Sequence, residues 1–422
     1  MSLIDQLLPI ILLALVNLAV IFRRVGKVSV PAWTAFLLAS VVLVLLIPGQ
    51  YDRAVIVISE QAEVFVFLFG MFVLVTALDL SGALENGAKW LLSHAKTGSG
   101  MLLVIHLGFG MAAAFLINDT VAIFAPIILI VAARQINQDS KMFVLAVAFT
   151  LTFGSALLPI GNPQNFILAT KGGMSFIDFA VWGAIPTTIA LTVCYLFFRS
   201  YGKKSFNREI VKNLILIPEK HEYSHLQGPA VLGMILMILG LLLSSFIQVP
   251  MAVIILIVVG VFLFLVNERD AILARIDWGV LLFFAGMFVV IDAVTSTDLI
   301  QDVLRSSVLT ANVTFETYTL FVIMIFLASQ FISNVPVAII VSNILPGTPL
   351  DQPLFWMAAA LASTFAGATT VLGAASNVIV IETSSKRGVK ISWLDFAKIG
   401  VPLSLFSLLE LVVIGGFFFV LQ

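Results

Sequence analysis

Residues 115–123 read Phe-Leu-Ile-Asn-Asp-Thr-Val-Ala-Ile, and residues 331–339 read Phe-Ile-Ser-Asn-Val-Pro-Val-Ala-Ile. The two stretches align without a gap, and each places polar residues in the middle of a long apolar segment. In hydrocarbon an unsatisfied polar group costs several kcal/mol, so irregular polar backbone persists there only where protein or a water-filled cavity surrounds it. Two such interruptions in one chain predict a binding site formed between two repeats.

The composition indicates that most of the chain lies in a membrane. Of its 422 residues, 61% are hydrophobic and 11% are charged, whereas a soluble domain carries about 25% charged residues. Apolar segments long enough to cross a bilayer recur along the chain, and the third of them is predicted at 54–79. A shorter amphipathic segment is predicted at 297–309. The single cysteine excludes a disulfide framework and a cysteine-rich metal site. We therefore predict an all-α polytopic protein of the cell inner (plasma) membrane, with the lipid bilayer as its surroundings and no nucleic-acid partner.

Short words repeat in the same order in both halves of the chain. They are Gly-Met-Phe-Val at 70–73 and 286–289, Thr-Phe at 152–153 and 364–365, and Asp-Phe-Ala at 178–180 and 395–397. The offsets between paired words all lie between 212 and 217 residues, which chance similarity between apolar segments does not produce. The sequence therefore predicts a duplication, with a first repeat at 1–198, a charged cytoplasmic linker at 199–227 and a second repeat at 228–422.

The distribution of lysine and arginine tests how the repeats are oriented. If the polar-centred stretches 101–133 and 317–345 are re-entrant hairpins, each repeat has five spans and the repeats are inverted. This topology places 18 of the 22 Lys and Arg residues on the cytoplasmic side, as the positive-inside rule requires. We therefore predict two inverted repeats, each of five transmembrane helices and one re-entrant hairpin, with both termini extracytoplasmic.

The tip of the first hairpin holds Asn118, Asp119 and Thr120. An ionisable residue at membrane depth is a functional hypothesis by default, although Asp and Asn also cap helix N-termini at such a tip. Capping needs no charge, so we predict that these three residues bind substrate or ion and that Asp119 carries the coupling proton.

The tip of the second hairpin holds Ser333 and Asn334, and it places Val335 where the first tip has its acid. Pro336 lacks a backbone N–H and interrupts helical hydrogen bonding, which frees carbonyl oxygens that can hold a cation. Asn118 and Asn334 occupy matching positions at the two tips. We predict that Ser333 and Asn334 bind substrate or ion, and that any bound Na⁺ lies beside the two asparagines. No other metal site is expected.

Each repeat also contains an interrupted span, at 142–170 and 353–382. In the first, Pro159 and Pro163 flank Gly161 and exclude a continuous helix. A broken helix presents free N–H groups that bind anions and free carbonyls that suit Na⁺ or water, whereas a packing kink is the alternative interpretation. The predicted ligands are Gly161, Asn162, Gln164 and Asn165 in the first break and Gly373, Ser376 and Asn377 in the second.

Other polar residues within the spans have simpler explanations. Thr152 and Thr364 either line a pore or bond to their own helices. Asp79 and Asp292 end corresponding spans and are interpreted as interfacial caps, and His106 as a packing residue. The chain has no Lys or Arg at the predicted centre of the membrane, so helix dipoles and hydroxyl or amide donors must neutralise an anionic substrate.

These motifs resemble the ion transporter superfamily, which includes the arsenite permeases, the NhaD-type sodium/proton antiporters and the divalent-anion:sodium symporters. Asn118-Asp119 resembles the Asn-Asp pair of the arsenite permease branch. Residues 333–336 resemble the second copy of this tip motif in the same group. Their third residue, Val335, differs from the threonine in the Ser-Asn-Thr of dicarboxylate symporters. The resemblance covers nearly the whole chain. It implies an elevator mechanism, in which hairpins and broken spans move against a scaffold, and a homodimer.

We predict a secondary active transporter, and not an enzyme, that moves a small inorganic or organic anion such as arsenite, antimonite or a carboxylate, coupled to H⁺. No nucleotide-binding loop occurs, so coupling is to an ion gradient or to a partner ATPase subunit, and no cofactor is expected. The alternatives are a Na⁺/H⁺ antiporter, with Asp119 as the shared cation site, and a Na⁺-coupled di- or tricarboxylate symporter. An intramembrane enzyme would need an acid pair or a Ser/His site. A passive channel is a further alternative, which only a measurement of flux against a gradient decides.

Overall fold

The computed structural model describes residues 3–22, 24–25, 28–95, 97–206, 221–299, 302 and 312–420. Helices of the first half are α1 (Leu3–Phe22), α2 (Ala32–Leu46), α3 (Gln50–Glu60), α4 (Ala62–Leu80), α5 (Ala83–Ser93), α6 (Gly98–Val104), α7 (Gly110–Leu116), α8 (Asn118–Gln135), α9 (Ser140–Gly154), α10 (Pro163–Lys171), α11 (Phe176–Tyr201) and α12 (Lys203–Phe206). A π-helical turn, Ile105–Phe109, joins α6 to α7. Two strands of two residues each, β1 (Arg24–Val25) and β2 (Val28–Ser29), pair antiparallel after α1.

The second half repeats this order of elements. Its helices are α13 (Gln227–Ile247), α14 (Met251–Leu265), α15 (Arg269–Ala274), α16 (Trp278–Thr295), α17 (Phe315–Ile332), α18 (Asn334–Ile344), α19 (Pro353–Ala366), α20 (Ala375–Lys386) and α21 (Trp393–Val420). Short 3₁₀ turns lie at Ser155–Leu157, Pro159–Gly161, Ser224–Leu226 and Val371–Gly373. Nine of the described segments are long and apolar enough to cross a membrane. The prediction of an all-α polytopic membrane protein is confirmed.

One predicted span is wrong in detail. The segment 54–79 consists of two helices, α3 and α4, with non-helical backbone at Gln61 (φ −102°, ψ 14°). Helix α3 carries the charged residues Asp52, Arg53 and Glu60, so it is not an apolar transmembrane helix. The apolar residues between them make the hydrophobic run in the sequence look longer than α4 alone. The predicted amphipathic segment 297–309 lies almost entirely outside the described residues.

An ion pair ties α3 to the other half of the chain. Arg53 donates from Nε to Oδ2 of Asp292 (2.9 Å) and from Nη2 to Oδ1 (2.6 Å). The Asp292 side chain at the end of α16 is 6% exposed. Two parallel charge-assisted hydrogen bonds fix both groups in one geometry. Asp292 was interpreted from the sequence as an interfacial cap, and in the structure it is the anion of this pair.

The two halves are interleaved through the helices that carry the repeated Gly-Met-Phe-Val. α16 packs most extensively against α2, and α4 packs most extensively against α14. A Cβ on Gly286 would lie 2.6 Å from the backbone of Phe36, and a Cβ on Gly70 would lie 2.3 Å from Ile255. Only glycine allows these approaches, so the repeated word marks the same close helix contact in both halves.

A single residue with positive φ forms each of the two tips. Ile117 (φ +63°) separates α7 from α8, and Ser333 (φ +69°) separates α17 from α18. These positions match in the duplicated stretches. Left-handed backbone at a non-glycine residue costs of order 1 kcal/mol, so packing around the tips must hold it. Each tip then directs the N-terminus of its second helix toward the broken helices.

Candidate functional site

The first tip contacts the second break, across the boundary between the two halves. Asn118 donates from Nδ2 to Oγ of Ser376 (3.3 Å). The backbone N–H of Ser376 also lies near the carboxylate of Asp119. Helix α8, which begins at this tip, packs extensively against α20, which begins at this break. The structure therefore brings the predicted residues Asn118, Asp119 and Ser376 together at one point.

The second tip occupies the corresponding place in the other half. Helix α18 packs against α10, which begins at the first break. Asn334 is 4% exposed, and its Oδ1 atom has no hydrogen-bond partner within the described residues. A Cβ on Gly367 would lie 2.8 Å from Nδ2 of Asn334. Asn334 is thus a buried amide beside the second break, with an acceptor oxygen available for a donor.

The two breaks are held by asparagines in equivalent ways. Asn165 donates from Nδ2 to the carbonyls of Ser155 (3.0 Å) and Leu158 (3.3 Å). Asn377 donates to the carbonyls of Gly367 (2.8 Å) and Thr370 (3.2 Å). Both residues are fully buried. Their amide donors therefore satisfy the carbonyls that the interrupted helices leave free, which is the requirement for irregular backbone within a membrane.

One threonine connects each break to the opposite half of the chain. Thr364 donates to Oδ1 of Asn165 (3.1 Å), and Thr152 donates to Oδ1 of Asn377 (3.2 Å). Thr364 also accepts hydrogen bonds from Asn162 and Gln164, each at 3.4 Å. The two threonines are related by the same 212-residue offset as the two asparagines. The site thus contains a pair of reciprocal hydrogen bonds between the halves.

The glycines of the breaks allow close backbone contact. A Cβ on Gly161 would lie 2.2 Å from the carbonyl oxygen of Ser155, and a Cβ on Gly373 would lie 2.7 Å from that of Gly367. Separations below 3.0 Å are not tolerated against backbone. Both glycines are therefore required to fold each break back on itself, in addition to any contact with a ligand.

The two breaks differ in how their second helix is capped. Asn162 caps α10, because its Oδ1 accepts from the backbone N–H of Asn165 (2.9 Å). Ala374 stands in the corresponding position before α20 and supplies no side-chain cap. The carboxylate of Asp119, from the opposite half, lies near the Ser376 N–H at this uncapped terminus. Asp119 is therefore placed beside the N-terminus of a helix of the other half.

The second break is also the more accessible of the two. Thr369 and Thr370 are partly exposed, whereas Asn162, Gln164 and Asn165 in the first break are buried. At the tips, Asp119 and Thr120 are partly exposed and Ser333 is exposed. Asp119 and the N-terminus of α20 are therefore less enclosed by the protein than the first break. No Lys, Arg or His takes part in the hydrogen bonds that the described residues form at these tips and breaks.

Several residues of this region were not selected from the sequence. Thr152 and Thr364 were given the same weight as other hydroxyls, although their shared offset with Asn165 and Asn377 was a usable signal. Gln330, which donates to the carbonyl of Ala366 (2.9 Å), was also missed. Glu410, a buried acid in α21, was also missed, although a lone acid within a long apolar segment is the same signal that selected Asp119.

Comparison with known proteins gives the chain a family. The family model described as "Citrate transporter" (CitMHS) matches residues 8–353. A "46 kDa membrane protein" of Mycobacterium leprae (strain TN) is 29% identical over 368 residues, which cover 82% of this chain and 84% of that protein. The "Putative transporter arsB" of Dictyostelium discoideum is 28% identical over 142 residues, or 34% of this chain and 25% of that protein.

A solved structure shares the fold. The crystal structure of the Alcanivorax borkumensis YdaH transporter, described as having an unusual topology, aligns with a TM-score of 0.58 at 14% identity over 98% of this chain and 97% of that one. The resemblance to the ion transporter superfamily is confirmed, and no enzyme is indicated. The chain belongs to the citrate transporter family of that superfamily and is a secondary transporter.

Proposed function

We propose that this protein transports a small carboxylate or oxyanion, such as citrate, together with a proton. The observation that carries the proposal is the contact between Asp119 and the N-terminus of α20, which its own half leaves without a side-chain cap. A helix N-terminus binds anions through its free N–H groups and its dipole. Here an acidic side chain of the protein occupies the position that a substrate carboxylate would take.

Proton uptake by Asp119 links the two cargoes. The ionised side chain competes with a substrate anion for the Ser376 N–H, and it repels that anion. Protonation removes this charge and weakens the contact, so the helix terminus becomes available to the substrate. Release of the proton on the far side restores the contact and displaces the anion. Asn118 and Thr120 beside Asp119 supply further neutral donors.

The breaks complete the site. Asn162, Gln164, Asn165 and Asn377 shape its walls by hydrogen bonds within the protein, and Asn334 offers a free acceptor. Gly161, Gly373, Ser333 and Ser376 belong to the same proposed site. If Na⁺ takes part in transport, the free oxygen of Asn334 is its first candidate ligand, and Asn118 stands at the equivalent position of the other tip.

We also infer the finer architecture: two inverted repeats of five transmembrane helices and one re-entrant hairpin each, with both termini extracytoplasmic. The ion pairs among the described residues support the relative orientation of the two repeats in this topology. Lys141–Asp395 (2.6 Å) and His225–Glu268 (2.7 Å) join residues assigned to the cytoplasmic side. Arg53–Asp292 joins residues assigned to the outside. An incorrect orientation of one repeat would place oppositely assigned residues in contact.

An elevator movement is consistent with the packing. The interleaved helices α2, α4, α14 and α16 form a scaffold, and the tips and breaks are joined across the halves into one unit that can move against it. A homodimer, which would anchor such a scaffold in the membrane, is the expected assembly.

A weak acid that is neutral at physiological pH, such as arsenite, is a second candidate substrate. The site is formed by hydroxyl, amide and backbone groups with one acid and without a basic partner among the hydrogen bonds of the described residues. A neutral molecule needs no counter-charge. The similarity of part of the chain to the "Putative transporter arsB" also favours testing it.

The test is uptake of labelled citrate, and separately of arsenite, into proteoliposomes that contain the purified protein. We expect citrate to accumulate when an inward proton gradient is imposed, and to do so equally when Na⁺ is replaced by choline. Asp119→Asn should lower the accumulation ratio at least tenfold for one pH unit of gradient, because the amide cannot exchange a proton. Asp52→Asn, at an exposed acid of α3, is the matched control. Accumulation that requires Na⁺, or proton exchange for Na⁺ without any anion, would refute the proposal.

A further inference from the structure

A second acid lies within the membrane-spanning part of the protein. Glu410 is located on α21, the 28-residue helix Trp393–Val420. It stands about three residues past the middle of this helix, which is about 5 Å along the axis. The residue is 7% exposed, and neither carboxylate oxygen has a hydrogen-bond partner within the described residues. An ionised carboxylate in this position would be an uncompensated buried charge, which is very costly.

Among the described residues, no charged group of the surrounding helices forms an ion pair or hydrogen bond with Glu410. The titratable or charged groups on the helices packed against α21 are Lys141 on α9, Asp178, Cys194, Tyr195, Arg199 and Tyr201 on α11, and Glu316 and Tyr318 on α17; α19 carries none. Lys141 pairs with Asp395 at the other end of α21, and Arg199 donates to Tyr195. The Tyr318 hydroxyl donates to the carbonyl of Leu411, the residue next to Glu410 (3.1 Å).

Tyr318 is therefore not a donor to the acid in this arrangement. Asp178 accepts a hydrogen bond from Ser175 in the capping box of α11, and Cys194 contacts His106 (3.4 Å). Glu316 is exposed. The environment of Glu410 accommodates the neutral carboxylic acid, and the group can lose its proton only when water or another conformation of the protein reaches it.

Hydroxyl groups connect Glu410 with the second break. Oγ of Ser404 lies 3.0 Å from Oγ1 of Thr369, which is partly exposed in the break. Ser404, Ser407 and Glu410 follow at intervals of three residues, so they lie along one side of α21 with a rise of about 4.5 Å per step. The two serines are buried. Each donates to its own helix and keeps lone pairs free to accept.

We propose that Glu410 is a proton-carrying group of the transport cycle, loaded from the second break by way of Thr369, Ser404 and Ser407. The step forms one O–H bond on a carboxylate oxygen and neutralises its charge, and the reverse step returns the proton. A cation such as Na⁺ or Ca²⁺ would need several more oxygen ligands than the unpartnered carboxylate offers. The inference rests on the proposed function, and it adds a second proton site distinct from Asp119.

The readout that separates the two sites is the accumulation ratio at steady state. Each proton that moves with the substrate contributes about a tenfold accumulation for one pH unit of gradient. If Asp119 and Glu410 each carry one, the wild-type protein reaches about a hundredfold ratio and Glu410→Gln about a tenfold ratio. Glu316→Gln on the neighbouring helix α17 is the matched control and should leave the ratio unchanged. A ratio in Glu410→Gln equal to that of the wild type would overturn the inference.

A second measurement is independent of transport. The infrared spectrum of the reconstituted protein should contain a carboxylic-acid C=O band that Glu410→Gln removes and Glu316→Gln retains. Absence of that change would also overturn the inference, whereas failure of wild-type uptake under every gradient would contradict the proposed function alone. Should Glu410→Gln not fold, Ser407→Ala takes its place: it should slow proton-driven uptake and keep the infrared band, and an unchanged rate would count against the path.

Discussion

Substituting the two threonines that link the halves should destabilise the protein unequally. Thr152 makes one hydrogen bond across the boundary, to Asn377, and Thr364 makes three, to Asn162, Gln164 and Asn165. Hydrogen bonds between membrane helices contribute about 0.6 kcal/mol each on average. Thr152→Val should therefore cost about 0.6 kcal/mol and Thr364→Val about 2 kcal/mol of the free energy of unfolding.

The assay is reversible unfolding of the purified protein in mixed detergent micelles, with helix content followed as the fraction of denaturing detergent rises. Thr319→Val is the matched control, because Thr319 donates only to the carbonyl of Phe315 in its own helix. It should change the free energy of unfolding by a few tenths of a kcal/mol at most. Equal losses for Thr152→Val and Thr364→Val, or losses no larger than that of the control, would refute the account of the reciprocal bonds.

Two further sets of substitutions test the fold. Gly161→Ala and Gly373→Ala should each abolish transport and lower thermal stability, because the new Cβ would meet a backbone carbonyl. The control, Gly87→Ala in α5, has open space for its Cβ and should be neutral or stabilising. Normal uptake by Gly161→Ala would contradict this prediction. Arg53→Met should destabilise the protein by about 3 kcal/mol because Asp292 remains buried without its partner. Adding Asp292→Asn should recover most of that loss, and the absence of any recovery would show that the ion pair is not the cause.

The sequence alone predicted the helical membrane fold because the relevant signals are local and strong. Apolar length identified the spans, and the aligned stretches at 115–123 and 331–339 located two interruptions that the structure resolves into the positive-φ residues Ile117 and Ser333. The division of 54–79 into α3 and α4 was missed, because a few charged residues on one side of a helix leave the average hydrophobicity of the segment high.

The contacts of the site were less predictable, since they join residues about 200 positions apart. The role of Asp119 depends on Ser376 in the opposite half, and the absence of a cap at Ala374 explains why an acid is useful at the first tip alone. Asn165 and Asn377 were selected as ligands for their polarity. Sequence reasoning could not show that their donors already bind carbonyls of the breaks. Glu410 has no partner residue in either repeat that a pattern could reveal.

The interleaving of α2 with α16 and of α4 with α14 has a consequence for biosynthesis. The ribosome delivers α2 about 230 residues before α16, the helix against which α2 packs most extensively. Until then the backbone of Phe36 lacks Gly286, the residue against which it packs closely. After insertion, the helices of the first half must therefore remain in the bilayer without their final packing partners. Any factor that shields helices during insertion would act in that interval. When the two halves are expressed separately, we expect that neither folds to its native structure.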